Sequence, residues 1–174
     1  MSDIKIRPAL SGDIPEITRI YSDAVMYGTA TFELDPPDET EMMWRQEALL
    51  RGNFPYIAAE IGGVVAGYAY AGPYRARPAY RWCVEDSIYV APHLHRKGIG
   101  ALLLMRLVAD AERRGFRQMV AVIGDSAQAA SIAVHAKAGF DLIGTLRSVG
   151  FKHGKWLDTV LMQRALGSGD TAPP

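Results

Sequence analysis

The chain is 174 residues long, 49% apolar, and carries 19 basic against 19 acidic side chains. That length can bury a real core within one domain, and the zero balance excludes a chain-wide field recruiting nucleic acid or a membrane surface, so any polyanion site is local. Cys83 is the only cysteine, which excludes an internal disulfide and suits a reducing compartment; His93, His95, His135 and His153 lack metal-ligand spacing, so no metal is expected.

The opening MSDIKIRPAL has no signal-peptide apolar core, and the best apolar run, Ile99 to Leu104, is too short to span a bilayer, so the expected location is cytoplasmic. Ile4 and Ile6 alternate with Lys5 and Arg7 and predict a first strand ending at Pro8. A helix follows from Ser11 or Asp13, with Ile14, Ile17, Ile20, Tyr21 and Ala24 on one face and Gly28 at its end; Asp13 and Glu16 have the spacing of a capping box. Residues 29–37 read as a loop carrying Phe32 between small residues. Asp38 and Glu41 are spaced to cap a second helix running through Trp44, Ala48 and Leu49 to Gly52. Tyr56 to Ile61 and Val64 to Tyr70 are β-rich and joined by Gly62-Gly63, a turn that needs positive φ, which predicts an antiparallel hairpin.

Residues 72–81, GPYRARPAYR, have arginines and tyrosines but no apolar period, and read as a surface loop. A fourth strand, Trp82 to Val90, alternates so that Glu85, Ser87 and Tyr89 share one face and Val84, Asp86, Ile88 and Val90 the other. A third helix, Gly98 to Arg114 ended by Gly115, leads to a strand from Gln118 to Ile123. A fourth helix runs from Ser126 or Gln128 to Ala138, stopped by Gly139, and strands Phe140 to Leu146 and Trp156 to Met162 complete the sheet. Residues 166–174 read as a flexible tail. The order argues one α/β domain, residues 1–165, with a mixed sheet flanked by helices.

The segment VEDSIYVAPHLHRKGIGALLL, Val84 to Leu104, passes from an apolar strand through a basic, glycine-punctuated loop into an apolar helix. A helix opening on Lys97-Gly98-Ile99-Gly100 offers unpaired N–H groups and about half a positive charge, and its glycines let a phosphate approach the backbone. Arg96 and Lys97 add full charges beside it. The spacing fits neither a Walker A loop, which needs Gly-Lys-Ser/Thr, nor a dinucleotide fingerprint, because Leu103 stands where the third glycine belongs.

His95-Arg-Lys-Gly-Ile-Gly100, preceded by I-Y-V-A-P, resembles the acetyl-coenzyme A loop of the GNAT acetyltransferases, whose pattern is Arg/Gln-x-x-Gly-x-Gly/Ala; His95 departs at its first position. A-x-x-x-x-A-G-F at Ala133 to Phe140 resembles the second signature of that family. YAGPYRARPAYRWCVEDSIYV, AVIG and GTLRSVGFKHGKWLD are similar to the phosphinothricin and methionine sulfoximine N-acetyltransferase branch. The resemblance implies a mostly antiparallel central sheet with about four helices, splayed between strands four and five, and an acetyl-CoA-dependent N-acetyltransferase acting on a small amine.

It further implies a pantetheine arm along Ile88, Tyr89 and Val90, a pyrophosphate over Arg96, Lys97, Gly98, Ile99, Gly100 and Ala101, and cofactor contacts at Gln128 and Ser131. Substrate positions carried over are Arg75, Ala76, Arg77 and Tyr80 in the arginine loop and Glu85, Asp86 and Ser87 on the strand. Phe32, Gly124 and Thr159 correspond to walls. Relatives of this kind often dimerise, so a homodimer is expected.

Acetyl transfer needs a neutral amine. At pH 7 a lysine-like amine costs about 4.6 kcal/mol to deprotonate and a peptide α-amine about 1 kcal/mol, so a base helps a free amino acid. Glu85 is the candidate base, acting through water; the bland alternative is a carboxylate neutralising the arginine loop. Asp86 is the rival, but alternation points it the other way. His135 stands where many relatives place a tyrosine that protonates the leaving thiolate, and the sequence equally allows a packed helix histidine. Two other functions fit the family loop: acetylation of a protein N-terminus or lysine, and a non-catalytic acetyl-CoA binding module.

Overall fold

The computed structural model describes residues 4–174. A seven-stranded sheet has the order β1-β2-β3-β4-β5-β7-β6, built from β1 (Ile4–Pro8), β2 (Tyr56–Ile61), β3 (Val64–Pro73), β4 (Cys83–Val90), β5 (Gln118–Gly124), β6 (Asp141–Lys152) and β7 (Lys155–Ala165). Every neighbouring pair is antiparallel except β4 with β5. The helices are α1 (Ile14–Tyr27), α2 (Glu39–Arg51), α3 (Ile99–Arg113) and α4 (Ala129–Lys137).

Strand alternation divides the core into two layers. Ile57, Ala59, Ala69 and Val84 join Leu103, Leu104 and Leu107 of α3 on one face. Tyr56, Ala58 and Tyr68 join Ile17, Ile20 and Tyr21 of α1 and Met42 of α2 on the other. Each large side chain buried in this way contributes about 1.5–3 kcal/mol. The inward stripe of α1 is Ile14, Ile17, Ile20, Tyr21 and Val25, with Ala24 only half-buried. That of α2 is Met42, Gln46 and half-buried Leu49, while Trp44 and Ala48 stay exposed.

Local signals are met unevenly. Asp38 caps α2 by accepting the Glu41 N–H at 2.8 Å. Asp13 does not cap α1: its carboxylate accepts the Leu10 N–H at 2.7 Å and two bonds from Arg7, at 2.7 and 2.8 Å. A fork-shaped guanidinium outcompetes the helix end for both of its oxygens. Gly62 and Gly63 take φ of +59° and +84°, as a two-residue hairpin turn requires.

The last hairpin is longer than the sequence suggests. His153 and Gly154, with φ of +52° and +74°, form its turn, and the register shifts at bulges between Leu142 and Gly144 and between Leu146 and Gly150. Beyond Ala165, Leu166 is fully buried, and the Arg117 guanidinium donates to the carbonyls of Gly169 and Ala172 at 2.9 and 2.6 Å.

The sheet opens at one place. Parallel pairing of β4 with β5 ends at Asp86 opposite Ala121. The Trp82 carbonyl accepts from Gln118 on the β5 side, whereas the Cys83 carbonyl and the Ala91 N–H bond toward β3. Alternation therefore turns the backbone groups of Ile88 and Val90 toward β5, past the point where β5 supplies partners.

Candidate active site

The basic loop ends in this opening. Gly98 caps α3 with φ of +80°, a left-handed conformation suited to glycine. The first helical bond joins the Leu102 N–H to the Gly98 carbonyl at 3.1 Å, so the amides of Ile99, Gly100 and Ala101 have no helical partner. A Cβ at Gly100 would meet only the Val90 side chain, at 3.9 Å, and one at Gly98 nothing within 4 Å. Arg96 and Lys97 are exposed beside these amides. His95, the departure from the family pattern, turns its ring back so that Nε2 donates to the Val90 carbonyl at 2.9 Å.

On the α1/α2 face of β4, Glu85 stands half-buried, with Ser87 and Tyr89 beyond it. Burial raises its carboxyl above the usual value, the neighbouring Asp86 charge adds to this, and Arg75 opposes it. Arg75 lies on the exposed loop with Ala76 and Arg77, its guanidinium over the Tyr74 ring at 5.0 Å. Tyr80 meets Tyr74 edge-on, with centroids 5.7 Å apart. Burial and the Glu85 charge push the Cys83 thiol up to about 11, which leaves it protonated and unreactive at neutral pH.

The other face of β4 carries Asp86, buried as alternation requires. Its Oδ2 lies 3.0 Å from His135 Nε2, and His135 Nδ1 lies 2.8 Å from the Ser131 carbonyl. A carbonyl only accepts, so Nδ1 carries a proton and Nε2 faces the carboxylate. Burial opposes an imidazolium, but the Asp86 hydrogen bond and charge and the Ser131 carbonyl outweigh it and raise the His135 value. Both ring nitrogens are engaged within the protein, by the Ser131 carbonyl and the Asp86 carboxylate.

Phe32 forms a wall that sequence spacing alone does not build. A Cβ at Gly124 would stand 2.9 Å from its ring and 2.7 Å from the Thr29 carbonyl, and one at Gly150 would collide with the same ring. Thr159 is buried opposite Gly124. The loop beneath Phe32 is pinned by the Lys152 ammonium, which donates to the Thr31 carbonyl at 2.8 Å, and by Tyr21, whose hydroxyl is 3.0 Å from Thr31 Oγ1. Gln128 Nε2 donates to Thr29 Oγ1 at 3.1 Å, so its amide binds this loop. Gly150, Lys152, Thr29 and Thr31 are absent from the residues singled out by sequence; a glycine inside a β-rich run was the one available signal.

A family model for the Acetyltransferase (GNAT) family matches residues 17–140. The chain belongs to the GNAT acetyltransferase family. It is an N-acetyltransferase, 49% identical over 169 residues to a phosphinothricin N-acetyltransferase of Alcaligenes faecalis, covering 97% of this chain and 86% of that protein. It is 38% identical to an L-methionine sulfoximine/L-methionine sulfone acetyltransferase of Pseudomonas paraeruginosa, over 97% and 98% of the two chains. A Sinorhizobium meliloti phosphinothricin acetyltransferase solved with acetyl-CoA superposes with a TM-score of 0.96 at 47% identity, over 100% of this chain and 94% of that one.

The geometry of this acetyltransferase suits the family's acetyl donor. Free amides at a helix start, a left-handed Gly98 and an open Gly100 make an anion cradle, and the β4 edge beyond its last β5 partner, at the Ile88 backbone and the Val90 N–H, offers strand-like bonding to an amide-bearing arm. Among the described residues no group of three or more side chains of metal-ligand type converges, and no helix is long and apolar enough to cross a membrane.

Proposed function

We propose that this enzyme moves the acetyl group of acetyl-CoA to the α-amine of a small amino-acid-like acceptor, such as phosphinothricin, methionine sulfoximine or a related amino acid. The names of the relatives support the acceptor class. The carrying observation is Glu85: a half-buried carboxyl with a raised pKa, on the strand that lines the opening and within the field of Arg75. When bound, acetyl-CoA supplies an activated acetyl thioester.

Arg96 through Ala101 hold its pyrophosphate, and the backbone of Ile88 and Val90, with Tyr89 between them, its arm. Glu85 takes the amine proton, directly or through water, and its raised pKa makes it a stronger base than an exposed glutamate. Arg75 and Arg77 attract the acceptor carboxylate, with Ala76 and Tyr80 in the same loop, and Ser87, Phe32, Gly124 and Thr159 bound its space. Asp86 and His135 position the strand against α4, with Ser131 contributing through His135 and Gln128 through the Phe32 loop.

One domain over residues 1–165 carries the reaction, acting in the cytoplasm as a homodimer. Edge strand β6 supports the dimer: Leu142, Ile143, Leu146, Val149 and Phe151 are all about half exposed or more, an apolar edge that monomers rarely leave bare. Thiol release measured over a panel of amino acids, sulfoximines, phosphinates and peptides tests the acceptor. Activity on peptides with none on free amino acids removes this reading in favour of protein acetylation, and no release with any amine favours a binding module.

A further inference from the structure

Lys152 is a buried cation with no carboxylate bonded to it. Its surface is only 3% exposed, and its one hydrogen bond among the described residues runs from Nζ to the neutral Thr31 carbonyl at 2.8 Å. Glu33, whose charge favours the ammonium, is itself bound by Arg45 at 2.7 Å. Burial pushes the Lys152 ammonium below the ordinary lysine value. Buried charges are ordinarily paired, because a lone one loses more hydration than a single neutral partner restores. Lys152 therefore lowers the stability of the fold, and a role other than stability accounts for it.

Its place in the fold points to that role. Lys152 follows Gly150 by two residues on β6, so the two share a face, and Gly150 is the glycine under the Phe32 ring. The ammonium reaches across to Thr31, the residue immediately before Phe32. The neighbouring holds on this loop are neutral: Tyr21 on Thr31 Oγ1 at 3.0 Å, and His153 Nε2 donating to the Gly28 carbonyl at 3.2 Å. Thr29 Oγ1 donates to Asp125 at 2.8 Å, two residues further from the ring. Arg45 holds Glu33, just after Phe32, but both side chains are more than a third exposed, where solvent weakens an ion pair. The bond from Lys152 is charge-assisted and shielded from water, which makes it the stronger kind.

We infer that Lys152 is a positioning residue: its ammonium fixes the Thr31 carbonyl and through it the Phe32 ring, so that a destabilising buried charge is kept to hold the acceptor wall in place. The inference rests on the reading of Phe32 as a wall of the amine site. Without the ammonium the loop is left to its weaker contacts and the acceptor binds less well. The acetyl-CoA cradle, built on β4 and the start of α3, is untouched.

Lys152→Met keeps the length of the side chain and removes the charge. Its Tm is expected to equal or exceed that of the wild type, while the KM for L-methionine sulfone rises about tenfold, the size of one charge-assisted hydrogen bond, and the KM for acetyl-CoA stays unchanged. A residue that serves only the fold gives the opposite, a lowered Tm with both KM values kept; that result, or a failure to fold, overturns the inference. In a Phe32→Ala background Lys152→Met is expected to change the KM no further, and an undiminished rise there overturns action through Phe32. Amide hydrogen exchange over residues 28–33 reads the loop without any substrate and is expected to quicken in Lys152→Met; unchanged exchange overturns the hold. If the wild type acetylates no free amino acid, or Phe32→Ala alone leaves the KM at the wild-type value, the acceptor reading fails, and quickened exchange in Lys152→Met still supports the hold of Lys152 on the loop.

Discussion

His135 Nε2 lies 3.0 Å from Asp86 Oδ2, with both side chains buried and Nδ1 held by the Ser131 carbonyl. This pair ties β4 to α4 beside the point where β4 leaves β5. The His135 value is raised in the folded state, so its contribution is fully present below the ordinary value of about 6.5 and is lost as pH rises through the raised one. Asp86→Asn leaves a buried imidazole without its charge partner and is expected to cost about 3 kcal/mol. Urea denaturation across pH checks this: the gap to wild type is widest below about pH 6.5 and narrows as pH rises. A gap independent of pH contradicts the ion pair.

Glu85→Gln keeps shape and removes the base. Turnover is expected to fall about 10²-fold or more, with acetyl-CoA affinity retained and the deficit shrinking at high pH, where the amine deprotonates unaided. Because the Glu85 carboxyl is raised, wild-type kcat/KM falls with acidification through a value above the ordinary glutamate pKa of about 4.3. The variant lacks that acid limb. A pH–rate profile with equal limbs in both proteins removes Glu85 from the chemistry.

Gly98→Ala forces a side chain to φ of +80°, at about 1–2 kcal/mol. The strain falls on the loop that presents the amides of Ile99, Gly100 and Ala101. The KM for acetyl-CoA is expected to rise about tenfold, equivalent to about 1.4 kcal/mol, with a smaller effect on the KM for the amine. Initial rates over both substrates separate the two.

Gly150→Ala puts a methyl group into the Phe32 ring. The Phe32 wall then shifts, and the KM for the amine rises while that for acetyl-CoA stays near wild type. Combined with Phe32→Ala the substitution loses most of its effect, since the colliding ring is gone. A double-mutant cycle measures this, and simple additivity excludes the proposed contact.

Charge on the β6 edge tests the dimer. Val149→Glu or Phe151→Asp places a carboxylate among exposed apolar residues and is expected to shift sedimentation from dimer to monomer. A wild type that sediments as a monomer removes the homodimer directly.

The sequence by itself determined what local physics controls. Period-two alternation placed Glu85 and Asp86 on opposite faces of one strand, Gly62-Gly63 fixed a turn, and Gly98 with Gly100 marked an anion-binding helix start. Each signal lies within a few residues of its effect. Only the tertiary structure decided partners distant in the chain: Arg7 drawing Asp13 away from α1, Gly124 and Gly150 making room for one phenyl ring, and Lys152 holding the loop beneath it. His135 is the clearest case, because the sequence gives its type and spacing but not its neighbours. Asp86, 49 positions away in the chain, meets it only when β4 packs under α4.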